Sequence, residues 1–388
     1  MRVIRAAQLF DGERFLGPSE VLVDGAKVVA VIAPSDHSSD VEVEDLGDAT
    51  VLPGLVDAHQ HLSWDCSVDP VGWHANGDDI LLEQARVNAR RALAAGITTI
   101  RDLGGRTEVM LALRDEAAGA QGQWPALLVS GAALTSPHGH CHFLGGECAG
   151  LEDLVAMVRS HAAARVDVIK VMATGGNVTP GSAPHESQFR ADELRAVVEA
   201  AHAAGLPVAA HAHAMSGVSD ALDAGVDTIE HCSFMTADGV GVDPGLVERL
   251  AQSGTVVSIT AGVLPGGTPP PAIAARLPAL IAHGKGLVEA GVRCILSTDA
   301  GIGPVKPHDT LAHAVAQQVD AGLASIAEVL AMCTSRAADA LGLADQAGRL
   351  APGHPADLLV VRGRADQDPA ALLNPLLVLR AGREVPRA

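Results

Sequence analysis

Short runs of aliphatic and β-branched residues recur along this chain, near positions 52–57, 97–101, 126–131, 167–172, 207–211, 227–231, 255–260 and 293–298. Most are separated by alanine-rich, helix-like stretches, such as Leu81 to Ala95, Ala191 to Ala204, Leu246 to Gln252 and Ile281 to Glu289. Strand-like runs alternating with helices predict an α/β fold built on a parallel sheet. At this length, eight such units predict closure into a (β/α)8 TIM-like barrel. The competing architecture is an open doubly wound sheet, but no GxGxxG or Walker A loop accompanies the pattern.

The two ends of the chain are patterned differently. Val21-Leu22-Val23 runs into Asp24-Gly25, a strong hairpin signal, and Lys27 to Ile32 follows as a second strand. At the far end, Asp357 to Val361 and Pro375 to Leu379 are strand-like, with a turn expected at Ala381 to Glu384. The two ends together are expected to build one small β-sandwich domain. The expected division is residues 1–52 and 346–388 for that domain and 53–345 for the barrel.

Composition narrows the picture further. A chain of 388 residues suits one large domain of about 250–300 residues with a smaller companion. Aromatics make up only 2% and tyrosine is absent, so the core must be aliphatic and no phenol takes part in any site. The net charge is −19 without a cluster of Lys and Arg, which argues against nucleic acid as a partner and reads as a solvated surface. Six dispersed cysteines without a CxxC pair do not form a disulfide framework. The N-terminus lacks the apolar segment of a signal peptide, and no apolar run reaches the roughly 18–20 residues that span a bilayer. A cytoplasmic protein acting on a small molecule, with no membrane partner, is the expectation. Oligomeric state stays open, a homo-oligomer included.

The chemistry-bearing residues sit at the ends of the strand-like runs. His59 and His61 follow the first run, two apart, so a strand would project both from one face, as half of a transition-metal site. Lys170 lies inside an apolar run where a lysine needs a reason. His211, His231 and Asp299 each end their own run. In a (β/α)8 barrel, sites form where the strands reach their carboxyl ends, so these six residues would meet there. His138, His140 and His142 alternate through one loop and raise the question of a further metal site. His213 is a candidate for contact with substrate or for support of the ligands. Arg101, Arg190 and Lys306 follow strands and are candidates for meeting a substrate carboxylate, as is His142 for substrate binding.

Val51 to His61, Ile169-Lys170-Val171, His211, His231, Ser297 to Gly301 and the tail Gly348 to Leu358 together make the chain resemble the amidohydrolase superfamily. Gly139 to Glu147, Ala173 to Gly181 and His211-Ala212-His213 are similar to its imidazolonepropionase-like branch, which includes Xaa-Pro dipeptidases. The resemblance implies two divalent metal ions, usually zinc. His59, His61 and Asp299 would hold one, and His211 and His231 the other. Lys170 would carry a CO2-derived carbamate bridging both. It also implies a hydrolase that cleaves an amide or peptide C–N bond with a metal-bridging hydroxide. Asp299 would move the proton, and His140, with His213 as a second choice, would steady the oxyanion. Dipeptides of the Xaa-Pro type and N-acyl amino acids are the leading substrates. Some members of this branch place a tyrosine on the substrate carboxylate, which this chain cannot do. A lactone, carbamate or cyclic amide therefore stays open as substrate. A lyase, isomerase or deaminase on the same scaffold is a further alternative, as is a binding protein without catalysis.

Overall fold

The computed structural model describes residues 1–37 and 42–386. Eight parallel strands form its centre, in two groups. Leu55–Gln60, Ile97–Asp102 and Ala126–Val129 pair in sequence order, and so do Ile169–Met172, Val208–Ala212, Thr228–His231, Val256–Thr260 and Cys294–Ser297. Backbone pairing also joins the groups at both edges. Leu134 bridges to Val171, with Leu134 N–H donating to Lys170 O at 2.8 Å. On the other side Gln60 bridges to Ala300, and Asp299 N–H donates to His59 O at 2.8 Å. The last strand is thereby tied to the first, and the carboxyl ends of all eight lie toward one end.

Each strand is followed by a helix: Asp78–Ala94, Thr107–Gly119, Leu151–Ala164, Ala191–Ala203, Met215–Ala224, Pro244–Gln252, Leu277–Glu289 and Leu311–Asp320. Their apolar faces explain the alanine-rich stretches. Leu194, Val197, Val198 and Ala201 of the helix Ala191–Ala203 recur at helical spacing and are buried against the strands. Asp243 starts the helix Pro244–Gln252, its carboxylate accepting the Leu246 N–H at 3.0 Å.

The two chain ends form two sheets that share an apolar core of Ile4, Val21, Val23, Val51, Leu358, Val360 and Leu379. The expected hairpin is present: Ser19–Asp24 pairs antiparallel with Lys27–Ile32, and Gly25 takes the left-handed φ of +55° that its turn requires. One expected strand divides in two. Within 52–57, Ala49–Pro53 pairs antiparallel with Leu358–Arg362 in an end sheet, and Leu55–Gln60 opens the parallel set. Gly54 makes the crossing, where a Cβ would lie 2.1 Å from Thr98 Oγ1. No helix among the described residues is long and apolar enough to cross a membrane.

Candidate metal centre

His59 is the penultimate residue of the first parallel strand and His61 follows that strand. Asp299 lies two residues past the end of the eighth strand, with a left-handed φ of +59° that is uncommon for a residue with a side chain. That turn aims its carboxylate at both imidazoles: Asp299 Oδ1 lies 3.4 Å from His59 Nε2 and 3.1 Å from His61 Nε2. The far nitrogen of each ring is tied down. His59 Nδ1 donates to Glu230 Oε2 at 2.9 Å, and His61 Nδ1 to Gly104 O at 3.1 Å. A proton held on Nδ1 leaves the Nε2 lone pairs facing inward, the form in which histidine ligates.

A second cluster adjoins the first. His211 Nδ1 and His231 Nε2 lie 3.0 Å apart, while His211 Nε2 faces Gly175 O at 3.0 Å and His231 Nδ1 faces Thr260 Oγ1 at 2.7 Å. His213 stacks on His231 at 4.5 Å between ring centroids and is oriented by Ser233 Oγ, 2.7 Å from its Nδ1. The His140 ring sits 4.7 Å from His211, and His59 and His231 rings sit 5.1 Å apart, joining the clusters. His59 with His61 and Asp299, and His211 with His213 and His231, each bring their donor atoms within 4.8 Å of one another.

Burial sets the charges. It pushes the pKa of His59 and His213 down to about 4 and that of His140 to about 3, so these rings are neutral near pH 7. Burial acts to raise Asp299, but His59, His61 and Lys306 outweigh it and hold the carboxyl below its ordinary range. Lys170 is only 1% exposed, and its Nζ has no hydrogen-bond partner. Burial pushes its pKa down to about 8 against the attraction of Glu230 and Asp299.

A profile of the amidohydrolase family matches residues 50–385. The chain belongs to the amidohydrolase family. It is 28% identical to the imidazolonepropionase of Deinococcus radiodurans, over 89% of this chain and 85% of that one. It is 27% identical to the ochratoxinase of Aspergillus niger, over 84% of this chain and 73% of the relative. Among solved structures, it matches a Xaa-Pro dipeptidase with methionine bound in its active site at a TM-score of 0.84 and 25% identity, covering 99% of both chains. The resemblance to the imidazolonepropionase-like and Xaa-Pro dipeptidase branch is borne out, and the fold is of the TIM-barrel type that these neighbours share. The protein is an enzyme, a hydrolase acting on C–N bonds.

This amidohydrolase places several other expected residues differently from the sequence reading. Arg101 is buried beneath the site, donating from Nε to Ala58 O and from Nη2 to Glu230 Oε1 at 2.8 and 2.9 Å. Its charge is directed at Glu230, not at a substrate carboxylate. The Arg190 side chain is 70% exposed and pairs with Asp192 beside the start of a helix. Lys306 does reach the centre: its Nζ donates to Thr298 O at 2.6 Å and its charge acts on Asp299. His142 turns outward and lies with His138 and Glu147. Cys141, Cys148 and Cys232 are buried free thiols, as expected. The sequence reading missed Glu230, which joins Arg101 to His59, and Asp57, which accepts from Thr298 Oγ1 at 2.6 Å beside Asp299. Both are acids within apolar runs, the same signal that singled out Lys170.

Proposed function

We propose that this amidohydrolase is a binuclear metal enzyme that cleaves the amide bond of a small Xaa-Pro-type dipeptide or an N-acyl amino acid. His59, His61 and Asp299 would hold one zinc-type ion, His211 and His231 the other, and Lys170, carboxylated by CO2, would serve both. One observation carries this reading. Lys170 is a buried amine without an acceptor, and its charge acts on His59, His211 and His231 alike. An ammonium so placed is costly, whereas a carbamate would give it ligating oxygens and turn the surrounding imidazoles to use. The lowered pKa also favours the neutral amine that reacts with CO2.

Bound divalent cations supply Lewis acidity at the scissile carbonyl and lower the pKa of a water. The chain's own residues do the rest. Asp299, held ionised by its cationic and imidazole neighbours, accepts a proton from the attacking water and returns it to the departing nitrogen. His140 stays neutral, and its ring, 4.7 Å from His211 between centroids, would donate toward the oxygen that gains charge. His213, fixed by Ser233, stands by as a second donor. Trp64, 5.0 Å from His61 between ring centroids, packs with Phe143, Val178 and Ile302 as an apolar wall for a substrate side chain.

The same reading closes the eight strands into a (β/α)8 barrel over residues 53–345. It joins the end sheets, residues 1–52 and 346–388, as a β-sandwich. A second substrate class, a lactone, carbamate or cyclic amide, is favoured by one observation: Arg101 and Arg190 both pair with acids of the protein itself.

The test is metal analysis by plasma mass spectrometry on protein purified without chelator, assayed against dipeptides, N-acyl amino acids and lactones. About two equivalents of zinc, with activity lost on chelation and regained with metal plus bicarbonate, is the expected result. Folded protein with one equivalent or none, and no activity after the same treatment, would overturn it.

A further inference from the structure

Among the described residues, one set of metal-type donors lies outside the centre. His138, His142 and Glu147 offer ligand atoms within 4.8 Å of one another, on the loop between the third and fourth parallel strands. The loop is a closed turn: Thr135 bridges to Glu147, and Thr135 N–H donates to Gly146 O at 2.9 Å. Its histidines alternate in direction. His140 points inward against His211, whereas the His138 side chain is 91% exposed and His142 faces it at 6.0 Å between ring centroids.

This geometry is built by the backbone. His138 and Cys141 both adopt left-handed φ, +57° and +58°, a pair of sparsely populated conformations within four residues. They reverse the chain on either side of His140 and leave His138 and His142 on the same outer side. The carboxylate of Glu147 is set in place independently of any ion, since its Oε1 accepts the His138 backbone N–H at 2.7 Å. The same oxygen lies 3.8 Å from His138 Nδ1. Two imidazoles and one carboxylate, with the remaining side open to water, form a donor set suited to zinc and its neighbours in the transition series. None of the three residues belongs to the inner clusters.

We propose that His138, His142 and Glu147 form a separate, solvent-facing site for a divalent cation of the zinc type, and that filling it fixes the loop that holds His140 against His211. The two ends of the coupling are close in sequence. His140 N–H donates to Gln188 Oε1 at 2.6 Å and Cys141 N–H to Thr179 Oγ1 at 2.9 Å, so the inner side of the loop is held by neighbouring segments, whereas the outer side is tied to the loop itself through Glu147 and the His138 N–H. A cation would add a second tie on the outer side.

The test is calorimetric titration of zinc chloride into the metal-loaded enzyme after dialysis, for the native chain, His138→Ala and Glu147→Gln. Glu147→Gln keeps the acceptor for the His138 N–H and so preserves the turn. The native enzyme is expected to take up one further equivalent that both variants lose, with the tightly held metal unchanged in all three. The count is a difference between chains, so it does not depend on how many ions the inner clusters hold. No further equivalent in the native enzyme, or one that survives both substitutions, overturns the site. Hydrogen exchange tests the coupling: zinc should slow exchange across residues 136–147 in the native enzyme and not in Glu147→Gln. Equal exchange in the native enzyme with and without the further equivalent overturns it.

Discussion

Glu230, on the sixth parallel strand, reaches His59 on the first, with Oε2 2.9 Å from His59 Nδ1. Its other oxygen receives Arg101 Nη2 at 2.9 Å, so one buried carboxylate orients a candidate metal ligand and neutralises a buried cation. Burial acts to raise its pKa, but Arg101 and His59 dominate and hold it ionised. Glu230→Gln would leave the guanidinium buried without its counter-charge. A loss of about 3–5 kcal/mol is expected in urea denaturation, with metal affinity falling roughly 10–100-fold. Unchanged stability would mean that Arg101 finds another partner.

Asp299 is the proton carrier in the proposed reaction. Asp299→Asn keeps the shape of the side chain but removes the base, and turnover should fall by about 10²–10⁴-fold. The circular dichroism spectrum and melting temperature should stay close to native. Retained turnover in the variant would remove Asp299 from the proton path.

Lys170→Ala should lower both metal content and rate, and short carboxylic acids should restore part of the rate by occupying the gap. Reactivation of native, metal-stripped enzyme by zinc plus bicarbonate should also depend on pH. The amine titrates at about 8, and only its neutral form reacts with CO2, so at a fixed concentration of dissolved CO2 reactivation should quicken as pH rises toward that value and level off above it. No rescue together with normal metal content would argue against the bridging role.

Gly176 lies against His140, where a Cβ would come within 2.3 Å of His140 Nε2. Gly176→Ala should therefore displace the ring and reduce kcat while the metal content stays native. Equal loss of metal and activity would instead point to a general disturbance of the loop.

His74 and His308 are buried near the centre, and burial pushes both down to about 4 from the ordinary histidine value of 6.5. An unfolded chain takes up these protons as pH falls through 6.5, and the folded chain only near 4. The unfolded state thus binds more protons in that window, so stability is lost as pH drops through it. Melting temperatures of metal-free protein should decline from pH 6.5 to 4, and His308→Asn should flatten the slope. A flat profile in the native protein would show that these rings protonate without cost.

Much of this enzyme was legible because its signals are local. Ile97–Asp102, Val208–Ala212 and Thr228–His231 fall within one or two residues of the expected runs, since an apolar run bounded by polar turns has few other ways to be buried. His59, His61, His211, His231 and Asp299 could be picked out because each stands where such a run ends. Arg101 and Arg190 were not legible: an arginine after a strand points to an acid, but the sequence does not say whether that acid belongs to a substrate or to the protein.

The sequence by itself determined the order of strands and helices, the aliphatic core and the identities of the residues at the strand ends, because these depend on neighbours a few positions away. Only the tertiary structure decided that His59 meets Glu230 across 171 positions and that Arg101 meets it across 129. It likewise decided that His140 turns inward while His138 and His142 turn outward. Those outcomes follow from strand pairing, twist and two left-handed residues in one loop, which direct side chains through space in ways that spacing along the chain does not encode.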